Sequence, residues 1–258
     1  MVLKRRELLK QTGGLLTALG LGQSGLLTWA GQAQSVLAQP TRRKLALLVG
    51  INQYSNGQGS SSSLPKLAGC VTDVELQREL LIHRFGFQPS DILVLTDKQA
   101  TGDNIQTAFQ THLMDQAQSG DVVIVHFSGY GRRYSPSQSD GETDFFNALV
   151  PVDGGMPPAD AVASQDLLLG QLQKWLEKLP TQQVTTVLDT GFCFSESLED
   201  LGFRVRSQGN QDLPATALPN VARNGNQFPG VIWQAGSPQQ WVVEVPFPTL
   251  VRGPLPIA

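Results

Sequence analysis

A chain of 258 residues with 40% apolar and 16% charged side chains has the composition of one soluble globular domain, which excludes fibrous and disordered classes. Its formal net charge of −3 excludes the basic stripe that a nucleic-acid partner would need. Cys70 and Cys193 are the only cysteines, too few for a disulfide framework and without the paired spacing of a zinc site, so two free thiols are expected.

The chain opens with Lys4, Arg5, Arg6 and Lys10, a mildly apolar run over residues 15–30, and the small-residue stretch Ser35-Val36-Leu37-Ala38. That order is the layout of a signal peptide, and Arg5-Arg6 resembles a twin-arginine export signal. The apolar run carries Gly20, Gly22 and Gly25 and falls short of the ~20 residues that span a bilayer. A cleaved signal over residues 1–38 is therefore expected, leaving no membrane span and placing the mature chain in the periplasm or an equivalent exported space. Its removal takes away four basic groups and one acidic group, which shifts the net charge from −3 to −6.

Residues 44–51 (KLALLVGI) form a continuous apolar run ending in Gly, the pattern of a strand buried on both faces of a parallel sheet. A Ser/Gly-rich loop follows at 55–63. Residues 71–85 place Val74, Leu76, Leu80, Leu81 and Phe85 near helical spacing, with Thr72 or Asp73 to cap the start and Gly86 to end it. The unit then repeats: a strand at 91–96, a helix capped by Thr101 and running to about 118, and a strand at 121–128. A polar loop over 129–147 leads to a short segment at 148–152, a helix over 164–179 stopped by Pro180, and a fourth strand at 183–189. His83 and His112 fall on helices and His126 on a strand, each reading as an ordinary structural residue. Alternating strands and helices of these lengths predict an α/β fold with a mainly parallel sheet covered on both faces. Ligands in such sheets sit at the carboxyl ends of the strands, which directs attention to the loops after the third and fourth.

Taken together, LALLVGINQY (45–54), LAGCVTDV (67–74), RFGFQPSDILVLTD (84–97), GDVVIVHFSGYG (120–131), NALVPVD (147–153) and VLDTGFCFS (187–195) resemble a metacaspase of the prokaryotic, orthocaspase type, over residues 44–245. The resemblance implies a caspase-like three-layer sandwich and a cysteine endopeptidase working through a Cys–His dyad. In that chemistry the imidazole keeps the thiol ionised and then protonates the leaving amine. The His position is Tyr130 here, and the Cys position is Gly191. A phenol titrates near pH 10 and glycine carries no nucleophile, so the dyad reads as replaced and the domain as a pseudoprotease. Cys193 lies two residues beyond, a displacement of about 6–7 Å along an extended chain, and reads as a buried small hydrophobe.

The resemblance also implies a pocket for a basic side chain, lined by Cys70, Asp73, Ser128 and Asp189. Two carboxylates converging there repel each other unless a cation joins them. Each residue has a plainer reading as well: Asp73 as a helix cap, Asp189 as a loop anchor, Ser128 as a turn residue. Asp140, Glu142 and Asp144 lie where some members of that family bind calcium, though a polar, solvated loop is the preferred reading of them, and no other cofactor is implied. Pro246, Pro248, Pro254 and Pro256 forbid a regular helix or central strand in residues 246–258, an irregular tail where the chain could be truncated. The partner expected is a peptide or protein segment with Arg or Lys. An active endopeptidase cutting after Arg or Lys, and a fragment without function, are the alternatives.

Overall fold

The computed structural model describes residues 42–54, 64–136, 145–154, 162, 165–200, 203–214, 228–237 and 239–244, and the described residues from Arg43 onward belong to one compact unit. The expected signal segment, the Ser/Gly-rich loop, the acidic residues Asp140, Glu142 and Asp144, and the proline-rich tail lie outside them. Among the described residues, no helix is long and apolar enough to cross a membrane.

The central sheet contains β1 (Lys44–Gly50), β2 (Ile92–Thr96), β3 (Val122–Ser128), β7 (Gln183–Asp189) and β10 (Val231–Gln234), in the order β10-β7-β3-β1-β2 and parallel throughout. The alternation of side chains across β1 explains why it carries no polar residue between its ends. Leu45, Leu47 and Val49 face one apolar layer with Phe109, Leu113, Val125, Leu172 and Leu188, whereas Ala46 and Leu48 face Val74, Leu81 and Ile92 on the other. Helix α1 (Cys70–Phe85) covers this second face, and α2 (Gly102–Ala108) and α3 (Leu169–Glu177) cover the first, giving the expected α/β sandwich. Gly86 ends α1 with a φ of 68°, donating its N–H to the carbonyl of Leu81. Thr101 accepts a hydrogen bond from the Asn104 N–H at 3.2 Å, as its spelling predicts, but α2 runs on as a π-helical turn over Phe109–Met114.

Two expectations need correction. The stretch from Gly129 to Asn147 is not simply a loop: β4 (Gly131–Pro136) and β5 (Phe146–Leu149) pair in it, and with β6 (Leu167–Leu168) and β9 (Gln211–Leu213) they make a second sheet in the order β6-β5-β4-β9. Its polar spelling misleads because both arginines are partnered in place. Arg132 is fully buried and pairs with Asp166 at 2.7 Å, whose carboxylate also accepts from the Tyr134 hydroxyl at 2.7 Å, and the Arg133 guanidinium stacks 4.0 Å from the Phe145 ring. The helix expected from residue 164 begins only at Leu169, because Leu167 and Leu168 pair with Leu149 and Ala148.

Register then positions the site. Gly50 is level with Thr96 on one side and Ser128 on the other, and Ser128 is level with Asp189, so the strands end on one line and their loops rise from one rim.

Candidate functional site

At this rim β1 gives way to α1 at very close quarters. A side chain at Gly50 would place its first carbon 2.6 Å from the Cys70 carbonyl oxygen, so only glycine lets the helix start there. No side chain caps α1 from the residue before it, and neither Thr72 nor Asp73 does so. Asn52 acts from outside instead, its Oδ1 accepting from the Cys70 N–H at 2.9 Å. This frees the Asp73 carboxylate to turn toward the strand ends, where Ser128 donates its hydroxyl to Asp73 Oδ2 at 3.0 Å.

The four residues expected to line a pocket do converge, and the space between them is filled by Arg206. Its Nη1 lies 2.6 Å from Asp189 Oδ2, 2.9 Å from Ser128 Oγ and 3.2 Å from the Asp189 carbonyl; its Nη2 lies 2.8 Å from Asp73 Oδ2 and 3.2 Å from Glu244 Oε1. Glu244 is held in turn by the N–H groups of Ala68 and Gly69, both at 2.9 Å. One buried cation thus faces three carboxylates. Burial opposes the charge of Arg206, but the carboxylates of Asp189 and Asp73 outweigh it and hold the guanidinium above its ordinary range. Burial pushes Asp189 up, with Arg206 opposing and Asp73 adding to the rise. The Cys70 thiol is pushed up to about 12, mainly by burial, and so stays protonated at neutral pH.

Arg206 and Glu244 escaped the sequence reading. The signal available was indirect: two carboxylates brought together require a cation, and the alternation Arg204-Val205-Arg206 is that of a short strand. Residues Arg204–Val205 form β8, paired antiparallel with β11 (Val243–Glu244) through Val205 opposite Val243 and Arg204 opposite Glu244. The Arg206 N–H continues this ladder to the Val242 carbonyl at 2.7 Å, and the Arg206 carbonyl accepts from the N–H groups of Gly191 at 3.0 Å and Gly131 at 3.1 Å.

Tyr130 and Gly191 each lie two residues past the level pair Ser128 and Asp189 on adjacent strands. The Tyr130 ring is buried against Tyr54, with centroids 5.0 Å apart; its N–H donates to the Tyr54 hydroxyl at 2.8 Å, and its own hydroxyl donates to the Pro65 carbonyl at 3.0 Å. A first side-chain carbon at Gly191 would meet Val242 Cβ at 3.2 Å and the Arg206 oxygen at 3.5 Å. Both cysteines are free, as expected, but Cys193 is half-exposed and it is Phe192 that packs into the core beneath the loop. His83 lies exposed on α1, and His112 sits between the carbonyls of Ala46 and Asp91, each 3.1 Å away. His126 is buried on β3 with neither ring nitrogen hydrogen-bonded, and burial lowers its pKa to about 4. Among the described residues, no three His, Cys, Asp or Glu side chains gather to hold a metal ion.

Comparison with known proteins agrees with this architecture. Residues 44–202 match the family described as "Metacaspase, peptidase C14 domain". Metacaspase-7 of Arabidopsis thaliana is 34% identical over 191 residues, covering 70% of this chain and 43% of that protein. Metacaspase-1B of Aspergillus clavatus is 31% identical over 196 residues, covering 72% and 42%. The chain therefore spans less than half the length of these curated relatives. The crystal structure of protein GSU0716 from Geobacter sulfurreducens shares the fold, with a TM-score of 0.50 at 20% identity over 65% of this chain and 58% of that one.

Proposed function

Since the chain belongs to the metacaspase, peptidase C14 domain family, we propose that it is a catalytically inactive member whose acidic pocket recognises a basic side chain of a peptide or protein partner. The observation that carries this reading is the pair of residues at the reacting positions. Gly191 has no nucleophile to offer. The Tyr130 hydroxyl is engaged with the Pro65 carbonyl, and burial raises its pKa further above the range in which a base works near neutrality. Cys193 starts two residues along the chain, and a misplacement of several ångströms costs a nucleophile orders of magnitude in rate.

Recognition, the other half of the proposal, draws support from the arrangement of Asp73, Asp189 and Ser128, which together bond a guanidinium from two sides. Export through the Arg5-Arg6 signal belongs to the same proposal, and fractionation of cells expressing the Arg5→Lys, Arg6→Lys variant tests it by loss of the exported form. The purified chain is expected to leave Arg- and Lys-ending reporter peptides uncut, and the Arg206→Ala variant, whose pocket is vacated, to bind them more tightly than their Ala-ending counterparts. Turnover abolished by Cys193→Ala would instead establish an active endopeptidase.

A further inference from the structure

We propose that the sheet face between α1 and β10 is the docking site for one amphipathic helix of a partner protein, which completes a layer that α1 covers only in part and lies with its amino terminus, bearing a basic side chain, at the strand ends. This site lies on the face of the sheet below the strand ends and does not depend on what the pocket there reads.

The vacancy follows from the width of the sheet. Five strands spaced ~4.8 Å apart make a face about 20 Å wide, room for two helices of ~10 Å side by side. One face carries two, α2 and α3. Among the described residues the other carries α1 alone, packed through Val74 and Leu81 over β1, β2 and β3. The effect is visible along β7, where Val184, Thr186 and Leu188 are buried on the covered face while Thr185 and Val187, alternating with them, are only partly buried. On β10, the edge strand, Val231 and Trp233 are 52% and 65% exposed, and across the gap α1 presents Leu76 and Leu80, 65% and 46% exposed. Parallel sheets are covered on both faces as a rule, and contiguous exposed apolar surface marks a site of interaction.

Between these walls runs a groove of about 440 Å³ with His126 and Val187 in its lining. His126 is buried and neither of its ring nitrogens is hydrogen-bonded, so the lining carries a polar group left without a partner. The dimensions select a helix. The uncovered strip is one helix wide, and the seven residues of β7 run ~23 Å, the length of about 15 helical residues. Leu76 and Leu80, one turn apart, face Val231 and Trp233 across a trough that an apolar stripe at i, i+3, i+4 and i+7 fills in helix-in-groove recognition. Charge selects the direction. At the strand ends Asp73, Asp189 and Glu244 share the single guanidinium of Arg206, and the excess negative charge suits a helix amino terminus with a Lys or Arg beside it. A second copy of this chain fits poorly, because inserting its α1 would bury Glu75 and Glu79, which are exposed on that helix.

The probe is the peptide acetyl-Lys-Lys-Leu-Ala-Gln-Leu-Leu-Ala-Gln-Leu-Ala-Gln-Leu-Leu-amide, titrated into the full chain while tryptophan emission is followed. Saturable binding with a shift of emission to the blue is expected, the shift being lost in Trp233→Phe. Leu76→Lys combined with Leu80→Lys, at exposed positions that leave the circular dichroism spectrum unchanged, should weaken binding at least tenfold. Moving both lysines to the carboxyl end of the peptide should weaken it at least threefold at low salt. No saturable binding, binding that survives the double leucine variant, or equal binding of the two peptides would overturn the proposal. Two other results would overturn it by giving the face to a different occupant. A Trp233-dependent blue shift on raising protein concentration alone, with dimers in sedimentation, assigns it to a second copy. Trp233 shielded from acrylamide in the unliganded monomer assigns it to this chain's own residues.

Discussion

Replacing Arg206 by alanine removes the only cation among the described residues within bonding distance of both Asp73 and Asp189 and leaves three carboxylates facing one another. Truncating one partner of a fully buried ion pair costs about 3–5 kcal/mol. Glu244 meets that condition with an 8% exposed side chain, but Asp73 and Asp189 are each 31% exposed and water recovers part of their loss. A deficit of about 3 kcal/mol at pH 7 follows, an amount that a chain of ordinary stability survives. The deficit should also depend on pH. Burial already holds Asp189 above its ordinary range with Arg206 opposing, so without the guanidinium its folded-state pKa rises further above the unfolded value, and protonation relieves the variant more than the natural chain as pH falls. Urea denaturation of both chains at pH 7 and pH 4.5, with Arg206→Met as a control that keeps part of the apolar stem, reads this directly. A deficit of equal size at both pH values would refute the electrostatic argument and assign the loss to packing alone.

Asp166→Ala leaves the Arg132 guanidinium in the core without its carboxylate, with an expected loss of about 3–5 kcal/mol by denaturant unfolding, whereas Asp166→Leu combined with Arg132→Met should cost less than Asp166→Ala alone. His126 titrates at about 4 when folded against about 6.5 when unfolded, so its contribution is fully present above pH 6.5 and is lost as pH falls toward 4. His126→Gln should flatten the stability profile in that window, by up to about 3 kcal/mol at its acid end. The Cys70 thiol, pushed up to about 12 and buried, should resist iodoacetamide at pH 8 while half-exposed Cys193 reacts, giving one adduct in the native chain and two after unfolding. Asn52→Ala, which removes the acceptor for the Cys70 N–H at the start of α1, should lower the melting temperature by an amount equivalent to about 1 kcal/mol.

The spelling of residues 44–50 and 183–189 sufficed to place β1 and β7, because a strand buried within a layered sheet shows its environment in its own composition. Gly86 ended α1 for a reason equally local, its left-handed backbone. Ser128 and Asp189 could be assigned to one rim from the sequence since each closes a strand, and parallel strands of equal length end together. Composition did not reveal β4. Arg132 and Arg133 look like solvated loop residues until Asp166, 34 positions away, and the Phe145 ring are brought against them. The sequence likewise placed a thiol at Cys193 but could not tell that Phe192 would take the buried site beneath the loop. Once the resemblance had brought Asp73 and Asp189 to one pocket, their charge required a cation there. Which cation fills it was decided by tertiary structure: the antiparallel pairing of β8 with β11 joins Arg206 to Glu244 across 38 positions and carries the arginine over the strand ends. Local periodicity reports the burial of a residue on its own element, whereas an ion pair between distant segments leaves no trace in either until the backbone brings them together.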